Sequence, residues 1–284
     1  ALPLLSFTLE QLYLKYVARY GAARNLGQTI DRAFTMADYD ALGGVIGSLR
    51  TRADEEYNQL PDDAHRATMQ RVMLRMVAVE GGEVARRRVM VAELTYPNDE
   101  ENIRVKAVIA RLVDARLVVS DRIDIDGDAI SDAYIEPAHD ALVRAWDRLR
   151  GWQVTAEHGL PLSLHRTLTQ SATDWLRAPQ HDKSGLLWNN SPWLAQLKNE
   201  TLPALEGQFD ALDCWLDPSR LLHQAAQIRT KPTRFNLQET EFIIRSTERR
   251  TFLWQRAIAI TTAVILALTG VSVIAELQRQ NAVE

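Results

Sequence analysis

Apolar residues near the start of the chain, Leu5, Leu9, Leu12, Tyr13 and Tyr16, recur at helical spacing, and Gly21 follows as a stop signal. A helix pair is expected over about Met36 to Leu60, entered at Thr35 as N-cap and broken near Gly43-Gly44. After Pro61-Asp62-Asp63 the pattern predicts a helix over Ala64 to Val79, with Met69, Val72, Met73 and Met76 on one face. A short apolar segment at Val89 to Leu94 and a second amphipathic helix over Ile103 to Leu117 come next.

The period then changes from 3.6 to 2. The stretches LVVSDRIDI and ISDAYIEP alternate around Asp126-Gly127-Asp128, the signature of a hairpin. Helices followed by a two-stranded wing are the order of a winged helix, with Ala138 to Trp152 as a closing helix (Leu142, Ala145, Trp146 and Leu149 inward). Further on, Leu160 to Leu176, Ser191 to Leu197, Leu202 to Trp215 and Pro218 to Ile228 read as helices separated by breakers. Recurring tryptophans serve as packing anchors, and no clean internal period stands out. Thr230 to Arg234 is a basic linker, and Asn236 starts a last helix.

From Ala257 to Ala275 the run AIAITTAVILALTGVSVIA carries no charge and is long enough to cross a hydrocarbon core of roughly 30 Å; the plainer alternative, kept open by Thr261, Thr262, Thr269, Gly270 and Ser272, is a buried core helix or a hydrophobic lead into a following domain. Arg245, Arg249, Arg250 and Arg256 precede it with Trp254 at headgroup level, and only Arg279 follows. The positive-inside bias therefore puts residues before Ala257 in the cytoplasm of a single-pass protein. The fold class expected is mainly α, with one β-hairpin and a single C-terminal transmembrane helix.

Composition narrows the functional classes. The 284 residues are 46% hydrophobic and 25% charged, enough for a sizeable core, and 33 Lys plus Arg against 37 Asp plus Glu give a net charge of −4, so the chain is not built to coat nucleic acid. A lone cysteine, Cys214, makes neither an internal disulfide nor a structural zinc site. There is no G-x-x-x-x-G-K-[ST], no G-x-G-x-x-G opening a helix, no H-E-x-x-H and no G-x-S-x-G. No catalytic residue and no metal ligand are assigned. The paired acids Glu55-Glu56, Asp62-Asp63 and Asp99-Glu100-Glu101 read as solvated faces and helix N-terminal charges.

One histidine differs from the other five. In Ile135-Glu136-Pro137-Ala138-His139-Asp140-Ala141-Leu142 the imidazole falls where the wing strand turns into the closing helix, placed to donate to a phosphate oxygen. A structural histidine at the same junction is the plainer alternative.

Several stretches together resemble the bacterial STAND-type signalling NTPases of the novel STAND group. They are Leu2-Pro3-Leu4-Leu5-Ser6-Phe7-Thr8-Leu9-Glu10-Gln11-Leu12, Tyr39 to Gly47, Arg86-Arg87-Arg88-Val89, Leu112 to Val118 and His139-Asp140-Ala141-Leu142-Val143-Arg144-Ala145-Trp146. The resemblance spans roughly residues 1 to 200. It implies a fragment that begins just after a P-loop core, with residues 1–60 as the helical lid, 61–155 as the winged helix, 156–245 as a helical arm and 246–284 as juxtamembrane and transmembrane helix. Leu2-Pro3-Leu4 corresponds to the family's GxP motif, which puts Pro3 against the nucleotide base; the glycine of that motif is not in the sequence. His139-Asp140 corresponds to the His-Asp motif, which puts His139 on the β-phosphate of ADP and favours its charged form.

The resemblance further implies ATP or ADP as cofactor, with Mg held by upstream segments, and an attached NTPase core and effector domain. A downstream WD-repeat propeller, self-assembly on activation and a bacterial inner-membrane location are implied as well. The fragment, lacking a P-loop, is not expected to hydrolyse ATP alone; the full protein is expected to be a slow NTPase switch. The alternative is a membrane-anchored winged-helix transcription regulator with Ile103 to Leu117 in the major groove. Arg104, Lys106, Arg111 and Arg116 are there balanced by Asp99, Glu100, Glu101 and Asp114, which gives little phosphate attraction.

Overall fold

The computed structural model describes residues 2–80, 83–123, 132–158, 161–189 and 234–281. They fall into two compact units, Ala1–Thr169 with Thr230–Leu237, and Gln170–Arg229 with Gln238–Glu284. The Asp126-Gly127-Asp128 turn and the three helices expected between Ser191 and Ile228 lie outside the described residues.

The first unit opens with α1 (Leu2–Asn25), which runs through Gly21. The stop is Gly27 instead. At φ +66 it lets its own N–H reach Arg24 O and the next N–H, that of Gln28, reach Ala23 O, the pair of bonds that closes a helix end. Helices α2 (Met36–Ala41) and α3 (Gly44–Asn58) follow as expected. Thr35 and Asp38 form a reciprocal capping box: Thr35 Oγ1 accepts from Asp38 N at 3.1 Å and Asp38 Oδ2 accepts from Thr35 N at 3.0 Å. Between the two helices Gly43 and Gly44 both sit at φ +70, a left-handed pair that only glycine adopts without strain.

Helix α4 (Asp63–Arg75) stops four residues before the expected Val79, because Val77 to Glu80 are drawn into a hairpin. Strand β1 (Val77–Glu80) pairs antiparallel with β2 (Glu83–Arg86), Glu80 opposite Glu83. The Gly81-Gly82 dipeptide between them is a two-residue hairpin signal that the sequence carries. After β3 (Val89–Met90) and a 3-10 turn (Val91–Leu94) comes α5 (Asp99–Asp114), then β4 (Val118–Ile123) and β5 (Asp132–Pro137). The sheet order is β3-β5-β4, so the hairpin lies against the short strand that precedes α5. Helix α5 ends with the same bond pattern as α1, but its left-handed residue is Arg116 (φ 58), with no glycine to mark the position.

The expected closing helix is two helices, α6 (Asp140–Ala145) and α7 (Asp147–His158), broken at Trp146, whose backbone is extended. The reason is the indole. Trp146 is buried, meets Trp152 edge-on at 5.2 Å between ring centres and donates Nε1–H to Asp54 Oδ1 at 3.0 Å, so the chain turns there to seat it against α3. One hydrophobic core takes in Phe7, Leu49, Ala53, Met69, Met73, Met76, Val108, Leu112, Ile135, Leu142 and Leu149, from α1 through α7.

Two acids read as solvated are buried here. Glu56 pairs with Arg52 at 2.8 Å and with Arg111, and Glu101 accepts from Thr68 at 2.9 Å, from Arg104 at 3.0 Å and from Arg71. Burial alone would raise the Glu101 carboxyl, but these donors hold it below its ordinary value of 4.5. Flanking charge on a single helix gave no sign of partners thirty or more residues away.

In the second unit, the last turns of α8 (Leu162–Arg177), α9 (Lys183–Leu186) and α10 (Leu237–Asn281, from Gln238 on) are described. Trp175 and Trp188 meet Phe242 edge-on at 6.1 and 5.4 Å, and Ser246 Oγ accepts from Trp188 N at 3.1 Å. Beyond this cluster α10 continues as a helix long and apolar enough to cross a membrane, with its apolar window unburied. The fold is mainly helical, with one long apolar C-terminal helix.

Candidate functional site

The two residues singled out in the sequence stand 136 positions apart, and the fold brings their elements to one place. Strand β5 ends at Pro137, and the next N–H, that of Ala138, donates to Leu117 O at 2.9 Å, which fixes the exit of the strand. His139 follows in extended backbone (φ −140, ψ 139) as the residue before α6, with its imidazole half-buried and making no capping bond. Phe7 of α1 meets that ring edge-on, 6.4 Å between centres. Pro3 precedes Phe7 by four residues, one helical turn, in the first turn of α1, where a proline is tolerated because its missing N–H has no partner to lose. Only the backbone of Pro3 is among the described parts.

Strand β2 supplies the charge. Arg86, its last residue, donates Nη1–H to Pro137 O at 3.2 Å and sets Nε 3.4 Å from Asp140 Oδ1, so its guanidinium is held by the residues on both sides of His139. Burial first, and then the Arg86 charge, hold the His139 imidazole below its ordinary value of 6.5. Both causes favour the uncharged ring, which has one nitrogen to donate and one to accept. A cation beside an uncharged half-buried imidazole is an arrangement that an anion improves: it offsets the Arg86 charge and accepts from the ring.

The run Arg86-Arg87-Arg88 leaves strand β2 after Arg86, and its side chains take separate partners. Arg87 turns to Glu93 at 2.8 Å and to Arg75 O at 3.2 Å, while Arg88 lies over the Tyr134 ring at 3.9 Å and faces Glu136 at 3.6 Å. Arg86 is the residue here whose role the sequence alone does not mark. Its signal was its place at the end of a period-2 stretch after Gly81-Gly82.

Helix N-terminal charge contributes little here, because the break at Trp146 leaves α6 six residues long. Three of the four cations expected to face DNA are engaged within the unit: Arg104 with Glu100 and Glu101, Arg111 with Glu56, and Arg116 with Glu10 at 2.5 Å, while Lys106 is exposed. A separate cleft of about 240 Å³ is lined by Arg71, Arg75, His165 and Arg234, but Arg71 is bonded to Glu101 and Arg75 to Tyr96 Oη and Arg234 O.

No curated protein and no solved structure matches the chain. Residues 1–183 match the family described as Novel STAND NTPase 1, a stretch that contains α1 to α8 and both Pro3 and His139. The chain belongs to the Novel STAND NTPase 1 family.

Proposed function

We propose that this chain is the regulatory segment of an ATP/ADP-dependent signalling switch. In it residues 1–60 act as the lid of a nucleotide-binding core, 61–155 as a winged helix, 156–245 as an arm and 246–284 as a juxtamembrane and membrane-spanning helix. The observation that carries the reading is the junction at His139: an uncharged, half-buried imidazole flanked by Arg86, with α1 delivering Phe7 to the same ring one turn after Pro3. The order α4, β1, β2, β3, 3-10 turn, α5, β4, β5, with β3 paired to β5, supports the winged-helix assignment.

The residues present fit a phosphate group. When bound, a nucleotide supplies the anion that the Arg86 and His139 pair favours. His139 would donate a hydrogen bond to a phosphate oxygen, and Pro3 would face the base. Magnesium falls to segments upstream of Ala1, as does hydrolysis, which this chain does not perform alone. A histidine that holds one nucleotide state and not the other supplies the differential affinity a switch requires. The family relation supports an attached effector, a WD-repeat propeller downstream and self-assembly on activation. The span over Ala257 to Ala275, with the preceding arginines on the cytoplasmic face of a bacterial inner membrane, tethers the switch.

The test is His139→Ala in the full-length protein, with bound nucleotide quantified after purification and basal signalling measured. The expected result is lower ADP retention and higher basal activity; unchanged retention with unchanged activity contradicts the reading.

A further inference from the structure

We propose that Arg86 is a second phosphate-binding residue of this site, acting beside His139, with the Asp140 carboxylate as the partner it holds when no nucleotide is bound. The inference rests on the reading of His139 given above. It begins from an ion pair that is poorly made. Arg86 Nε and Asp140 Oδ1 stand 3.4 Å apart, with the two side chains 40% and 56% exposed, and exposed pairs of this kind add little to stability. The guanidinium has five N–H donors, and its contacts among the described residues are Asp140 and the Pro137 carbonyl. It is therefore positioned by the backbone next to His139 while its charge remains available to a competing oxyanion, which a planar guanidinium binds by two parallel hydrogen bonds.

The neighbours are placed differently. Arg87 is held by Glu93 and by the Arg75 carbonyl, and Arg88 is stacked on Tyr134, so Arg86 alone of the three points its charge at the His139 junction. The consequence is mechanical as well as chemical. Arg86 belongs to the β1–β2 hairpin and His139 to the turn after β5, elements not joined in one sheet. A phosphate held by both side chains adds to the link already made between hairpin and α6 by Arg144 Nε and Val84 O at 2.9 Å; its departure returns Arg86 to Asp140.

The experiment is equilibrium binding of ADP, with adenosine measured by competition, to the full-length protein and to its Arg86→Gln, Arg86→Lys and His139→Ala variants, over a range of salt. Arg86→Gln is expected to weaken ADP about tenfold or more and to flatten the salt dependence, with adenosine affinity kept and with part of the loss restored in Arg86→Lys. Wild-type ADP affinity in Arg86→Gln alongside a loss in His139→Ala overturns the role of Arg86 and leaves the His139 reading standing. Equal weakening of ADP and adenosine makes Arg86 a structural residue and also overturns the proposal. Wild-type affinity in both Arg86→Gln and His139→Ala overturns the site as a whole.

Discussion

The first compact unit and the long helix α10 treat the same kind of side chain in opposite ways. In the unit, Trp146, Leu149 and Met73 are 1% exposed or less, each enclosed by other apolar groups. Along residues 257–275, Leu266 and Val271 are 66% and 65% exposed, on a helix with charge-free faces all round. A helix that is apolar on every side needs an apolar solvent, whereas an amphipathic one needs only a core to face. The difference separates two arrangements that hydrophobicity alone would merge: one set of side chains builds the core on which His139 stands, and the other lines a helix long and apolar enough to cross a membrane.

Four perturbations probe that division, from the largest expected effect to the smallest. Trp146→Ala removes the indole that breaks α6 from α7 and leaves Asp54 with Arg148 as its remaining partner. It should destabilise the first unit by about 3–5 kcal/mol, read by chemical denaturation. If it instead leaves unfolding unchanged, the core does not depend on that anchor. Leu266→Arg should make membrane insertion of the span less favourable by about 3 kcal/mol, seen as protein released on alkaline extraction, with the thermal transition of the first unit unmoved. A drop in that transition would mean that the helix is buried against protein rather than lipid.

Acidification should come next. The depressed Glu101 carboxyl contributes stability that is fully present above 4.5 and is lost as pH falls through its lower folded value; Glu101→Gln should flatten that acid limb. Thr35→Ala removes half of a capping box at the start of a six-residue helix and should cost about 1 kcal/mol at most, with nucleotide and membrane behaviour unaffected.

Much of this frame was legible in the sequence, because it rests on local chemistry. Thr35, the Gly43-Gly44 break, the strands around Asp126 and the charge-free run after Arg256 each announce themselves within a few residues. The hairpin at Gly81-Gly82 was also written there, but the apolar face of α4 leads smoothly into Val77 and Val79, and helical periodicity masked it. The break at Trp146 and the burial of Glu56 and Glu101 depend on partners far along the chain, Asp54, Arg111 and Arg71, which no window of sequence contains. At the site the same line divides the residues. His139 stood out by its place between strand and helix, whereas Arg86 gains its position only when β2 is laid beside the end of β5.

The central claim is that His139 exchanges a neutral resting state for a charged, phosphate-bound one. Burial and Arg86 depress its folded value, and Asp140 is the opposing charge adjoining it. The neutral ring therefore contributes stability that is fully present above 6.5 and is lost as pH falls through the lower folded value. The most direct measurement is the pH titration of the His139 imidazole by NMR in selectively labelled full-length protein, without nucleotide and with saturating ADP. The account predicts a midpoint below 6.5 in the absence of nucleotide and an upward shift when ADP is added. A midpoint that ADP does not move would contradict it.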